Sequence, residues 1–165
     1  MGIQRIKVYS GITLTSLGAS LLNLPLFVLG LLVMMTSRKA FNPMEKDSIY
    51  RPETRRDTAI ILFILALLEG ITGWGAGLHT STIINKLTFG LLTREVSFEL
   101  HVILNVPLSF FFILHSLSGL GSLLFRKGIK NKVVYNLLLP LFMLALFSVA
   151  FYLDALYFPG FLTTR

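Results

Sequence analysis

Four long apolar stretches dominate the sequence, and only Glu69 and Asp154 place an acidic or basic side chain within them. The stretches cover residues 8–37, 58–85, 100–125 and 133–164. A helix needs about 20 apolar residues to cross the hydrocarbon layer. Backbone groups in lipid must bond to one another, so each stretch is expected to be helical. The pattern predicts an all-α membrane protein, with one four-helix transmembrane bundle over residues 1–165. The expected helices cover about 9–36, 58–80, 97–125 and 132–157.

The composition agrees with this prediction. Of the 165 residues, 54% are hydrophobic and 14% are charged, whereas a soluble domain averages about 25% charged residues. The first apolar run is also longer than the roughly 7–15 residues of a signal-peptide core. The chain has no cysteine, which excludes disulfides, Cys-ligated zinc and iron–sulfur clusters within it. A non-covalent haem held by histidine stays possible.

Basic residues are unequally distributed between the two predicted membrane surfaces. The loops that follow the first and third helices carry ten of them: Arg38, Lys39, Lys46, Arg51, Arg55, Arg56, Arg126, Lys127, Lys130 and Lys132. The opposite surface receives five: Arg5, Lys7, Lys86, Arg94 and Arg165. Positive charge stays cytoplasmic, so we expect a multi-pass protein of the plasma membrane with both termini outside. The net charge of +7 then reflects membrane boundaries and does not indicate nucleic-acid binding.

Two histidines in the third predicted helix are the main candidates for chemistry. His101 and His115 are fourteen residues apart. Fourteen steps of roughly 100° return to within about 40° of the starting direction and rise about 21 Å. The imidazoles should therefore share one face at two depths, which suits two haems that each take one axial histidine. The alternative is that an intramembrane histidine serves as an interhelical hydrogen-bonding group or a proton relay.

The sequence around these histidines resembles the first helices of the cytochrome b family of respiratory quinol oxidoreductases. That family has two similarly spaced histidines followed by a glycine-bearing segment, which SFFFILHSLSGLGS resembles with His115 and Gly119. Its preceding helix ends in Q-x-x-T-G-x5-H, and LEGITGWGAGLHTS places Gly73 and His79 in matching positions, with Glu69 in place of glutamine. The resemblance covers about residues 58–125 and extends loosely to small four-helix haem b membrane anchors. It implies a haem-binding helical bundle.

The chain departs from the family in its number of ligands. Two bis-histidine haems need four histidines, and this chain has three. His79 matches a family position that does not ligate haem, yet it should lie near the outer level of His101, so the two are candidates to hold one outer haem. Near the level of His115 the fourth helix offers Met143, and methionine can be an axial ligand. The missing ligands are otherwise expected from another subunit.

Glycines and one acid near the histidines complete the candidate site. Gly73, Gly77 and Gly119 are small enough either to let helices pack closely or to let a flat porphyrin lie against the backbone. Glu69 lies well inside a predicted helix. It is a candidate proton or quinone site, and the alternative is a neutral acid that is hydrogen-bonded to a neighbour such as Asn105.

These features favour a haem b-binding electron-transfer subunit that connects the quinone pool with a partner redox protein in a respiratory complex. We expect one or two haems b, with quinone as a further candidate ligand. The expected partners are membrane lipid and other subunits of the complex, and not nucleic acid. The chain would then act within an oxidoreductase complex and not as a stand-alone enzyme. The alternative is a haem-free structural membrane-anchor subunit.

Overall fold

The chain folds as a set of packed helices. The computed structural model describes residues 2–157, and this part of the chain contains helices and turns but no strand. Its α-helices are α1 (Ile3–Ser20), α2 (Leu24–Met35), α3 (Pro52–Ala76), α4 (Ser81–Leu87), α5 (Arg94–Arg126) and α6 (Leu139–Tyr157). A short 3₁₀ helix, Arg38–Phe41, follows α2, and a π-helical turn, Val134–Leu138, leads into α6. The predicted all-α class is confirmed.

Among the described residues, three helical stretches are long and apolar enough to cross a membrane. They are Pro52–Ala76, Arg94–Arg126 and Val134–Leu153, and they correspond to the last three predicted helices. The helix predicted at 58–80 begins earlier, because the charged residues that follow Pro52 form its first turns. It also ends earlier, because Gly77 adopts an extended conformation. These helices agree with a membrane protein.

The first predicted helix is wrong, because its stretch forms a helical hairpin. The chain reverses between α1 and α2 at residues 21–23, where Leu22 has a φ of +50°. The turn closes on itself: the Asn23 amide N–H bonds to the carbonyl of Gly18, and the Asn23 side chain accepts a bond from the Leu26 N–H. Pro25 lies in the first turn of α2, where a missing N–H costs nothing. A bundle of four spanning helices is therefore not found within residues 2–157.

Small residues let the two arms of the hairpin approach closely. A Cβ atom on Gly11 would lie 2.9 Å from the carbonyl oxygen of Gly30, and one on Gly18 would lie 2.7 Å from the Cα atom of Phe27. Such separations leave no room for a side chain at either glycine. Close backbone approach at small residues is the usual way in which helices pack in lipid.

The hairpin is fixed to the other helices at both of its ends. Near the start of α1, the Arg5 guanidinium lies 3.9 Å from the Asp57 carboxylate of α3. At the far end, the Ser20 hydroxyl donates to the carbonyl of Ile103 at 2.9 Å. That carbonyl has no α-helical partner, because residue 107 is a proline without an N–H. The serine therefore satisfies a backbone group that Pro107 leaves free.

This arrangement changes the expected topology. The start of α1 lies beside Asp57, at the end of the bundle where α3 begins. The last described turns of α6 lie at the opposite end, where Leu153 and Phe98 line one cavity. The prediction that both termini lie on one side is therefore wrong for the described residues, and residues 158–165 lie outside them. Arg5 and Lys7 now join the ten basic residues of the two loops, which makes the charge asymmetry between the two ends larger than predicted.

The α3–α5 pair forms the centre of the fold, and loop 1 (residues 37–51) covers one end of it. Gly75 of α3 packs directly against Ser97 of α5. In loop 1, the Ile49 carbonyl accepts a bond from the Ser118 hydroxyl. The buried Tyr50, which follows Ile49, donates to the carbonyl of Tyr135 at 2.9 Å, and burial raises the pKa of Tyr50. Loop 1 thus connects α5 to the start of the last span.

The hairpin can be tested by labelling single cysteines, since the natural chain has none. Ile3→Cys and Met44→Cys replace exposed side chains at the loop 1 end, and Thr82→Cys replaces an exposed one in α4. A membrane-impermeant maleimide should label positions 3 and 44 from one side and position 82 from the other. Labelling of positions 3 and 82 from the same side would contradict the hairpin.

A second prediction concerns the close α3–α5 contact. Gly75→Ala places a methyl group against the Ser97 hydroxyl, and overpacking of this kind costs about 1–3 kcal/mol of unfolding free energy. Gly70→Ala is the matched control on the same helix, because a Cβ atom there meets nothing within 4 Å. Thermal unfolding in detergent should show destabilisation for Gly75→Ala and none for Gly70→Ala. Equal midpoints for the two variants would refute the contact.

Candidate functional site

His101 of α5 packs against the outer half of α3. Its Nδ1 atom lies 3.1 Å from the backbone carbonyl oxygen of Glu69 and 3.3 Å from the Oε1 atom of the same residue. A carbonyl oxygen only accepts, so Nδ1 carries the proton and Nε2 of the neutral ring keeps its lone pair. The ring lies over Gly73, where a Cβ atom would be 3.1 Å from the His101 Cε1 atom. The glycine therefore makes space for the imidazole.

His115 makes the corresponding contact near the other end of α3. Its Nδ1 atom lies 2.8 Å from the hydroxyl oxygen of Thr58. The Thr58 hydroxyl also lies 2.7 Å from the carbonyl oxygen of Thr54, and when its proton goes to that carbonyl, His115 donates to the hydroxyl oxygen through Nδ1. Here too the Nε2 atom keeps its lone pair.

The two imidazoles face one direction, as their spacing predicts, and that direction is toward α3. Their partners on α3, Thr58 and Glu69, are eleven residues apart, about three turns, which places them on one face as well. Sequence reasoning did not identify Thr58 as a partner. The eleven-residue spacing of two polar residues in an apolar helix was the signal that could have identified it.

The Glu69 carboxyl group faces His101. The predicted alternative, a hydrogen bond between the Glu69 carboxyl group and Asn105, is not found among the described residues. The carboxyl group lies beside His101 instead, and Asn105 is exposed. The Glu69 side chain is 14% exposed, and its Oε2 atom is buried without a hydrogen-bond partner among the described residues. The Glu69 carboxyl group therefore lies next to Nδ1 of His101, the same ring nitrogen that donates to the Glu69 backbone carbonyl.

His101 also lines a cavity between α5 and α6. The cavity has a volume of about 460 Å³, and Phe98, Asn105, Ser109 and Leu153 contribute to its wall. A volume of this size lies within the range of small-molecule sites. Its wall is mostly apolar with a few polar groups, the composition typical of such sites.

His79 and Met143, the predicted opposite ligands, lie elsewhere. His79 is exposed in the turn between α3 and α4, makes no hydrogen bond to His101 and does not line the cavity of His101. Met143 is buried and lines a different cavity, one shared with Met34 of α2. The pairing of His79 with His101 stays a prediction.

Each candidate glycine has a neighbouring protein group. Gly73 contacts the imidazole of His101. Gly77 caps the end of α3, where a Cβ atom would lie 2.5 Å from the Thr80 hydroxyl oxygen, and Gly119 lies near the aliphatic part of Arg55. The helix-packing interpretation therefore accounts for Gly73, and the predicted contact of these glycines with a porphyrin stays a prediction.

The residues present supply part of what a haem requires. His101 offers one axial nitrogen at the wall of a cavity, and its Nδ1–H already has an acceptor. No other histidine and no methionine is among the described residues that line this cavity. His115 also contacts α3 through Nδ1, and it is not among the residues that line the cavity of His101. The described residues therefore offer one axial nitrogen at that cavity, and they offer no opposite ligand there.

Comparison of the chain with models of protein families, with characterised proteins and with solved structures finds no match. The resemblance to the cytochrome b family therefore depends only on the motif residues. Of these, Gly73 and Glu69 lie around His101, whereas His79 lies in the turn that follows α3. With no matching protein, support for a function comes from the geometry of the described residues.

The interhelical bond of His115 can be tested with Thr58→Val. This substitution removes the hydroxyl that His115 contacts across the helix interface, and such a bond contributes about 1 kcal/mol in a membrane protein. Thr72→Val is the control, because the buried Thr72 hydroxyl bonds only to carbonyls of its own helix. Thermal unfolding should show a larger loss for Thr58→Val. Equal losses would mean that the contact with His115 contributes nothing measurable.

Proposed function

We propose that this chain is a haem b-binding electron-transfer subunit of a membrane oxidoreductase complex. One observation carries the proposal. His101 and His115 share one face of α5 at two depths, and each uses Nδ1 for a contact with α3 while Nε2 keeps its lone pair. We expect one or two haems b.

The contacts at Nδ1 support this interpretation. A histidine that binds a metal typically donates its other ring N–H to a carbonyl or carboxylate, which fixes the tautomer and raises the basicity of the ligand nitrogen. His101 has both acceptors, because the carbonyl and the carboxyl group of Glu69 approach the same nitrogen. The negative carboxylate would strengthen the donor character of Nε2.

The chain itself would orient the ligand imidazoles and exclude water from them. Gly73 leaves space for the imidazole of His101, and the packing of α3 against α5 holds both rings at fixed depths. The apolar wall formed by Phe98 and Leu153 would keep water from the ligand nitrogen. When bound, the haem supplies one-electron transfer, and its ligands and surroundings tune its potential.

The charge distribution supports an orientation for the subunit. Loop 1, the segment between α5 and the π-helical turn (residues 127–133) and the start of α1 carry most of the basic residues, so this end would face the cytoplasm in a plasma membrane. Partner redox subunits would supply the missing ligands and exchange electrons with the haems. A quinol would be the second redox partner, and the buried Oε2 atom of Glu69 is the candidate acceptor for a proton released when the quinol is oxidised to quinone.

One observation favours a second candidate function, the haem-free membrane anchor. Both imidazoles already have hydrogen-bond partners on α3, and this alone explains why an intramembrane histidine is tolerated. The anchor interpretation gives no role to the two Nε2 atoms or to the cavity beside His101.

The test is a reduced-minus-oxidised spectrum with a haem-to-protein ratio, measured on the full chain purified together with its partner subunits. The wild type should show haem b. His101→Leu should remove the outer haem and leave an inner one, and His115→Leu should do the reverse, because about 21 Å of helix separates the two nitrogens. One iron cannot bind both.

His79→Leu is the control that separates the sources of the outer ligand. Loss of the outer haem in this variant would confirm His79 as the opposite ligand, and unchanged spectra would assign that ligand to a partner chain. If the purified chain and its complex show no haem absorbance at all, the electron-transfer proposal fails and the anchor interpretation replaces it.

A further inference from the structure

A second cavity opens between α2 and α6 at the loop 1 end. It has a volume of about 490 Å³, and its wall is largely apolar, with Leu31, Met34 and Met143 among the lining residues. Two polar residues, Arg38 and Asn136, also line it. We refer to it below as the α2–α6 cavity.

The hairpin and a proline together produce this cavity. At the deeper end the two helices meet, with the ring centroids of Phe27 and Phe151 5.7 Å apart. At the loop 1 end α2 stops at Met35, and α6 is preceded by the π-helical turn Val134–Leu138. Pro140 has no N–H to continue the α-helical pattern, and a π turn is a common adjustment to such a gap.

The polar residues at the mouth of the cavity are free to bind a ligand. Arg38 and Asn136 are both exposed. Within residues 2–157, the Arg38 guanidinium has no ion pair and the Asn136 amide has no hydrogen bond. The surrounding loops are strongly basic, so the potential at this mouth is positive.

We propose that the α2–α6 cavity binds an anionic phospholipid. One acyl chain would lie on the wall formed by Leu31, Met34 and Met143, the phosphate would pair with Arg38, and the Asn136 amide would donate to a phosphate oxygen. Basic pockets between helices on the cytoplasmic side are typical sites for anionic headgroups. A charge-assisted bond from arginine to phosphate is also among the stronger contacts available.

The positive charge of Arg38 favours an anionic phospholipid over other apolar ligands. A neutral lipid or a quinone would fill the apolar wall equally well but would leave the guanidinium without a counter-ion. The site shares no lining residue with the cavity of His101. The proposal therefore goes beyond the electron-transfer function and does not depend on it.

The test is lipid retention by the full chain in nanodiscs, measured by native mass spectrometry. Phosphatidylglycerol and phosphatidylcholine with identical acyl chains are the probes. The wild type should retain phosphatidylglycerol in preference. Arg38→Gln should lower its affinity about tenfold, the fold-change expected when a charge-assisted hydrogen bond to the phosphate is lost.

Lys39→Gln is the matched control. Lys39 is the exposed neighbour of Arg38 in the same 3₁₀ helix, it loses the same charge, and it does not line the cavity. Lys39→Gln should leave the affinity for phosphatidylglycerol nearly unchanged. Leu144→Trp, which fills the cavity from an exposed position on α6, should reduce retention of both lipids.

Three outcomes would overturn the proposal. Equal retention of the two lipids by the wild type would show that the headgroup charge is not recognised. Equal effects of Arg38→Gln and Lys39→Gln would assign the preference to diffuse surface charge. Displacement of the retained lipid by a soluble quinone analogue would identify the cavity as a quinone site. Haem content is measured separately and bears on none of these outcomes.

Discussion

A polar group in hydrocarbon has no water to bond with, and this constraint organises the whole fold. Proline at position 107 frees the carbonyl of Ile103, and the Ser20 hydroxyl at the end of α1 satisfies it. Position 140 is also a proline, and a π-helical turn precedes it. The imidazoles of α5 take their partners from α3. These junctions between elements are therefore also sites where an otherwise unpaired polar group is satisfied.

The sequence predicted the three spanning helices well and failed on the first apolar stretch. Hydropathy detects a run of apolar residues, but a tight turn in lipid is itself apolar, as Leu21 and Leu22 show. The informative residues were Asn23, which caps α2, and Pro25, which begins it. Both are helix-start signals, and they were hidden by the length of the run. Because this turn was missed, the start of α1 was predicted at the wrong end of the bundle.

The candidate site was predicted in part, for a related reason. The period of the α-helix relates His101 to His115 because both lie on one helix. It does not say which neighbouring helix they face, and the choice of α3 depends on tertiary packing at Gly73 and Thr58. His79 was assigned by level along the membrane axis, but α3 ends at Ala76 and leaves this residue in an exposed turn. The helical period predicts relative positions only within one helix, so it did not place His79, which follows the end of α3.

The hairpin also bears on how the chain enters a membrane. Because α1 starts and α2 finishes at the same end of the bundle, the hairpin would carry only its short turn at residues 21–23 towards the other side of a membrane. Residues 77–93, which follow α3, would have to cross, and Lys86 is their only lysine, arginine, aspartate or glutamate. The strongly basic segment just before α3 resists translocation. If the loop 1 end faces the cytoplasm, as proposed above, the second apolar stretch, and not the first, would set the orientation of this part of the chain.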